Sequence, residues 1–417
     1  MRRVKTLAES RLTRFAVLAA LYFAQGIPWG FISVGYVVFL TDNGADNTAV
    51  GNAIALAYMP WSFKILAGPV IDRFPSQRFG RRRPYIIGAE FLMGLMLLFL
   101  LLIDPKKDLG WVGVILFAHN TFAAIQDVAT DALAIDVLPM DERGKANSFT
   151  WAAKSFGVVV GGGGGTLFAK YLGWPALFVA IAVMIWLVMV VVILIPERTS
   201  AQAELVPLER LNWKELRRSF SFRAPLVGVA IASLTPAGYA LIAPIFTRLQ
   251  RADLKLDEAS IAVLSGTLDP VAGVAGALVG GILADRFGPR RVMAVNMVVI
   301  AGSLLAFGAL PALWPSFSFL SGFTIVEKFA ENAYSAAFFS LAMTLSNPAI
   351  GATQFALYMA TSNLTYMWTS ALGGRIADGW GVAAAFFVAG AIQLVSIGLL
   401  PLCDPESAEA RFRGSVG

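Results

Sequence analysis

Residues Trp111 to Pro139 read WVGVILFAHNTFAAIQDVATDALAIDVLP. Roughly 20 apolar residues cross a bilayer as one helix. This stretch is long and apolar enough, yet His119, Asn120, Gln126, Asp127, Asp131 and Asp136 lie inside it or at its end. Asn120, Ala124, Asp127 and Asp131 follow 4, 3, 4 spacing, which puts them on one helix face. Each ionised group would cost about 2.5–3.5 kcal/mol against lipid on insertion scales. Such a face must look into protein or water, so the stretch is read as a helix lining a polar cavity inside a membrane protein.

The rest of the chain agrees. Of its 417 residues, 57% are hydrophobic and 14% charged, and mean hydropathy is +0.68. Soluble domains carry about 25% charged residues, so the expected fold class is an all-α polytopic membrane protein, with room for about 12 spans and short loops. The formal charge of +6 follows membrane topology rather than a nucleic-acid partner. One cysteine, Cys403, excludes an internal disulfide, and one histidine, His119, excludes a His-pair metal site. No metal or cofactor is expected. The N-terminus imitates a signal peptide, with Arg2, Arg3 and Lys5 ahead of an apolar run. That run continues to Leu40, so it is read as an uncleaved first span.

Twelve spans are placed at about 14–40, 48–71, 85–103, 111–139, 146–168, 175–195, 224–246, 260–284, 291–310, 316–345, 352–376 and 382–402. Residues 1–195 form a first six-helix bundle, 196–223 a polar cytoplasmic linker, and 224–417 a second bundle with a short tail. Pro28 and Gly26 should loosen span 1, and Pro270 should kink span 8. Gly161–Gly165 superficially suggests a phosphate loop, but no strand precedes it and no Lys-Ser/Thr follows. It is read as a site of close helix packing.

The halves repeat each other. Gly68-Pro-Val-Ile-Asp72-Arg73 with Gly80-Arg81-Arg82-Arg83 returns as Gly281-Ile-Leu-Ala-Asp285-Arg286 with Gly288-Pro-Arg290-Arg291. The segment from Gly165 through Gly173 to Phe178 likewise returns from Gly374 through Gly381 to Phe387. Two half-repeats in register argue for two pseudo-symmetric bundles. With both termini inside, Lys and Arg divide 23 inside to 7 outside, the remaining three lying within spans.

The doubled Gly-x-x-x-Asp-Arg loop, followed by Gly and arginines, resembles the signature of the major facilitator superfamily. A nearer resemblance is to its AmpG muropeptide permease and acetyl-CoA transporter branch. It rests on Ala57-Tyr-Met-Pro-Trp-Ser-Phe63-Lys64, Phe79-Gly-Arg-Arg-Arg83, Gln126-Asp127 with Asp131, Asp136-Val-Leu-Pro139, Glu142-Arg143-Gly144, Leu172-Gly-Trp174 and Ala352-Thr-Gln-Phe-Ala-Leu357. The resemblance implies two six-helix bundles working by alternating access, with spans 1, 4, 7 and 10 lining the cavity. It also implies lysine as a family feature at position 64, and an anhydromuropeptide as substrate. Acetyl-CoA or a siderophore are the alternatives within the wider branch.

Several residues carry candidate chemistry. Asp127 and Asp131, with Glu327 and Glu331, are candidate proton carriers; the alternative for the aspartates is helix-to-helix pairing with a lysine. Lys64, Lys154 and Lys328 could bind an anionic substrate, or could sit in internal salt bridges such as Lys328 with Glu331 or Glu327. Gln25, Asn120, Gln126, Tyr239 and Asn363 are further substrate-binding candidates, and Tyr22, Trp29, Tyr334 and Tyr366 could line a cavity or simply pack. Gly68, Asp72, Arg73, Gly80, Arg81, Arg82, Gly281, Asp285, Arg286, Gly288 and Arg290 form a gating loop in which Asp72 and Asp285 pair with arginines, or else a positive-inside anchor. Six intramembrane acids against three lysines favour proton coupling over a pure anion pocket.

The expectation is thus a proton-coupled transporter of the inner membrane. It would be multi-pass and monomeric, its partners a small-molecule substrate, protons and lipid, without nucleic acid. No ATP-binding motif appears, so an ion gradient should supply the energy. A membrane-embedded transferase is the rival class; it would need no pseudo-symmetry. A substrate-sensing receptor without flux is a third.

Overall fold

The computed structural model describes residues 6–7, 9–73, 80–104, 107–138, 143–197, 217–346 and 351–404. Among them the long helices fall into twelve stretches: α1 Arg11–Asp42, α2 47–73, α3 Arg83–Leu102, α4 Leu109–Val137, α5 143–172, α6 Trp174–Leu194, α7 Arg223–Asp253, α8 Glu258–Phe287, α9 Pro289–Ala309, α10 Phe317–Thr344, α11 Gly351–Trp380 and α12 Val382–Leu402. Eight of these are long and apolar enough to cross a membrane on composition alone. The other four, α2, α5, α10 and α11, are interrupted or carry more polar residues.

The chain divides into two compact units, Met1–Gly44 with Leu56–Glu209, and Ala45–Ala55 with Arg210–Gly417. The first turns of α2 thus belong with the second unit. The reason is local: Asp378, near the end of α11, accepts hydrogen bonds from the backbone N–H groups of Asn47 (3.2 Å) and Thr48 (2.6 Å) and from the Asn47 amide (2.7 Å). These are donors that a helix start leaves unsatisfied. Arg248 of α7 adds a bond to the Ala45 carbonyl at 3.0 Å.

In the first unit α1 runs against α5 at backbone contact. A Cβ on Gly26 or Gly30 would strike the backbone of Lys154 or Val158, and one on Gly157 or Gly161 would strike Phe23 or Ile27. Small residues permit this approach, and dispersion between the two backbones then holds the pair. The glycine run thus serves packing. Gly162 also interrupts α5. In the second unit Gly276 and Gly280 of α8 meet the backbone of Phe329 and Ala333 in α10 in the same way. An aromatic cluster centred on Phe307 fills the core there, with ring centroids 4.3 Å from Phe323 and 4.5 Å from Phe386.

Position relative to lipid is visible in α6. Leu177, Phe178, Ile181, Ile185, Val188 and Val192 are buried, while Val179, Val183, Leu187, Val190 and Leu194 are exposed. Both faces are equally apolar, which suits hydrocarbon and not water. The expected kink in span 8 is a wide π-type turn over Leu264–Leu268, just before Asp269 and Pro270. Proline leaves the Gly266 carbonyl, four residues back, without its usual donor. The repeated glycines also match in conformation: Gly80 and Gly288, and Gly173 and Gly381, all take φ between 84° and 94°. Only glycine adopts this freely, and at Gly173, Gly288 and Gly381 it starts the following helix.

Candidate functional site

In the first unit, α4 brings its carboxylates onto α1, α2 and α5. Asn120 donates to the Ala57 carbonyl of α2 at 2.9 Å. One face further along, the Lys64 ammonium lies 2.8 Å from Asp127 Oδ2, and Lys154 of α5 lies 3.9 Å from Oδ1 of the same carboxylate. A turn later Tyr22 of α1 donates to Asp131 at 2.6 Å. Lys64 is positioned by a tight 3₁₀ turn, Lys64–Leu66, that interrupts α2. Asp127 is 3% exposed, and a carboxylate so buried persists as an anion only when paired. Trp61 flanks Lys64 at 5.7 Å, and Trp151 flanks Lys154 at 5.8 Å. Trp29 stacks edge-on against both Tyr58 and Trp61.

Asn120, Asp127 and Asp131 thus share a face, and all three side chains look into protein. Gln126 does not join them. It lies on the α3 side of α4, donating to Glu90 at 3.1 Å, with His119 nearby at 2.9 Å from the Met93 carbonyl. Gln25 of α1 is buried, with neither amide atom partnered among the described residues.

The second unit holds a separate cluster. Lys328 of α10 lies 3.0 Å from Glu331 and 3.6 Å from Asp269, the first residue after the wide turn in α8. It donates to the Tyr239 hydroxyl of α7, and its ammonium sits 4.0 Å from that ring's centroid, a cation–π contact as well. The internal salt bridge Lys328–Glu331 is therefore present. Glu327 does not pair with Lys328: it is 3% exposed and its Oε1 meets no donor among the described residues. Tyr334 donates to Thr235 of α7. Tyr366 packs on Tyr239 at 6.0 Å, and Asn363 is half-buried on α11.

The loop motif is described only in part. The side chains of Asp72 and Arg73 lie outside the described residues. Asp285 is exposed in the last turn of α8 and makes no ion pair among the described residues, because that turn points its carboxylate outward. The engaged arginines are others. Arg82 pairs with Asp136 at 3.0 Å, and its N–H reaches Glu197 at 3.2 Å. Arg83 donates to the carbonyls of Val192 and Ile193 at the end of α6, and Arg290 to that of Cys403 at 2.7 Å. Cations on carbonyls at helix ends are favourable electrostatically. Gly68 and Gly281 lie within α2 and α8 with open space beside them, Arg81 is half-buried, and Arg286 is exposed over Phe287. The pairings of Asp136, Glu197 and Asp378 were missed. Their only signal was charge at a span end, and their partners are 54 to 331 residues away.

The Major Facilitator Superfamily profile matches residues 18–268 and 231–416. The chain belongs to the major facilitator superfamily. As a member of this superfamily it is a polytopic membrane transporter and not an enzyme. It is 27% identical over 382 residues to the anhydromuropeptide permease of Escherichia coli K12, covering 91% of this chain and 78% of that protein. It is 24% identical to the putative transporter AmpG 4 of Rickettsia conorii, over 91% and 94% of the two chains. These relatives bear out the AmpG-type resemblance. Solved structures share the fold: the nucleoside transporter NupG (TM-score 0.73, 13% identity, 94% and 100% coverage) and the inward-open xylose transporter XylE of E. coli (0.70, 15%, 93% and 95%).

Proposed function

We propose that this superfamily member is a proton-coupled symporter of the bacterial inner membrane, monomeric, with both termini cytoplasmic, importing an anhydromuropeptide by alternating access. The observation that carries this reading is the Lys64–Asp127–Lys154 group with Asp131 one turn away. Counted as ionised, two lysines and two aspartates are neutral. When Asp131 takes up a proton the group gains one net positive charge, which attracts an anionic group such as a peptide carboxylate. When the proton leaves, the attraction ends. Proton and anion therefore load and unload together, the requirement for symport. Trp151 beside Lys154 is half exposed and suited to the apolar face of a sugar ring. The AmpG-type relatives support an anhydromuropeptide ahead of acetyl-CoA or a siderophore.

The test is uptake into proteoliposomes with an inside-alkaline pH gradient, offering labelled anhydromuropeptide, acetyl-CoA and a ferric siderophore in parallel. The reading expects anhydromuropeptide to accumulate, and accumulation to vanish with a protonophore and with Asp127→Asn. Exchange without gradient-driven accumulation would remove proton coupling. Accumulation of another compound would replace the substrate.

A further inference from the structure

α4 has a second polar face, turned away from the lysines. At about 100° per residue, His119, Gln126 and Thr130 fall close together, about 100° round the helix from Asn120, Asp127 and Asp131. This face meets α3. There Gln126 donates to Glu90 Oε1 at 3.1 Å, and His119 lies 2.9 Å from the Met93 carbonyl. Glu90, Gln126 and Thr130 are each at 0% exposure.

No cation balances Glu90 among the described residues; the one polar group acting on its carboxyl is Gln126. Arg83 of the same helix is two turns away, about 10 Å along the axis, and is engaged with the Val192 and Ile193 carbonyls. α6, which also packs on α3, has no charged residue from Trp174 to Leu194. Lys64 and Lys154 are held on Asp127. A buried carboxylate persists as an anion only when paired, so Glu90 needs either a proton or a metal cation.

The atoms around it decide between the two. Glu90 Oε2, Gln126 Oε1 and Thr130 Oγ1 are all buried without a partner among the described residues. A protonated acid beside a primary amide closes a ring of two bonds, O–H to the amide oxygen and N–H to the acid oxygen. Here the N–H half alone is made, and the two oxygens that the O–H half would join are unpartnered. Thr130 also lacks the bond to the carbonyl four residues back, which Thr121, Thr361, Thr365 and Thr369 make. Its side chain leans toward the preceding turn, where Gln126 sits. Three bare oxygens, one of them anionic, are the donor set of a hard cation. Water would satisfy their hydrogen bonds but leave the charge uncompensated. With one carboxylate and two neutral oxygens, a monovalent ion makes the site neutral, whereas a divalent ion would bury a net positive charge.

We propose that Glu90, Gln126 and Thr130 form a sodium-ion site between α3 and α4, on the side of α4 away from the Lys64–Asp127–Lys154 group. The ion neutralises Glu90 and ties the two helices together. The site stands apart from the symport reading, whose pairs involve none of these three residues.

The test is thermal unfolding of the detergent-purified protein, with choline chloride replaced stepwise by sodium chloride at constant ionic strength. Wild-type protein should show a saturable rise in midpoint of about 2–4 °C. Glu90→Gln keeps the side-chain shape but removes the anionic oxygen, so it should fold and lose the rise. Thr130→Val should keep the rise but need about tenfold more sodium to reach half of it. Asp127→Asn, on the other face, should keep the response. Absence of a rise in wild-type protein, or an equal rise in Glu90→Gln, overturns the site. Infrared spectroscopy in sodium chloride gives a second readout, in which wild type and Glu90→Gln should have the same protonated-carboxyl C=O region. A band there that Glu90→Gln removes means that a proton holds Glu90 instead, and also overturns the site.

Discussion

At the scale of single residues, the decisive pairing is Asp127 with two lysines. Asp127→Asn would leave Lys64 and Lys154 without their shared counterion. Breaking a buried pair from one side costs about 3–5 kcal/mol, so the unfolding midpoint in detergent should fall clearly. Lys64→Met in the same chain should recover part of the loss, since one stranded charge is removed. Outside the spans, Cys403 is buried, and burial pushes its thiol up from the ordinary 9.0 to about 11. The thiolate is the reactive form. Maleimide labelling at pH 8 should therefore be about a hundredfold slower than for a free thiol, and should become fast on unfolding. The sign for stability follows: below pH 9 the thiol is neutral in both states, and stability is lost as pH rises toward 11. The charged residues themselves were legible, because charge inside an apolar run is conspicuous. Their partners were not, since Lys64 and Asp127 are 63 residues apart and pairing depends on how helices pack.

At the scale of elements, glycine seams set helix separation. Alanine normally stabilises a helix relative to glycine by about 1 kcal/mol. At Gly157 the added Cβ would strike the Phe23 carbonyl of α1, so Gly157→Ala should instead destabilise, by about 1–3 kcal/mol. Gly88 of α3 has open space beside it, and Gly88→Ala should be neutral or stabilising; parallel thermal unfolding of the two variants checks the opposite signs. Asp378 acts as a borrowed cap for α2. Its replacement by Ala should cost about 1 kcal/mol and speed amide exchange at Asn47 and Thr48. The run Gly161–Gly165 announced close packing, but Gly26 and Gly30 on the other helix, equally necessary, did not stand out among 39 glycines.

At the scale of the whole molecule, the superfamily fold fixes two units while the charge bias proposes their orientation. In a Cys403→Ser background, a cysteine at exposed Lys107 should react with an impermeant maleimide on right-side-out vesicles, and one at exposed Ser221 should react only on inverted vesicles. The opposite pattern would reverse the proposed topology. The unit boundary was the less legible part. Ala45–Ala55 is continuous in sequence with the first half but belongs by packing to the second, because Asp378 and Arg248 hold its backbone.

The class, the twelve helical stretches and the repeated loops are legible in the amino-acid order alone. Each of these follows from local quantities: apolar length against bilayer thickness, charge placement, and glycines that alone tolerate positive φ. Which acids are paired and which is not emerges from helix packing. Asp127 has two lysines and Asp131 a tyrosine, while Glu327 Oε1 has no donor among the described residues. The sequence counts six acids against three lysines, but the energy of each depends on distance to a counterion and on exclusion of water, and those are fixed only when the helices come together.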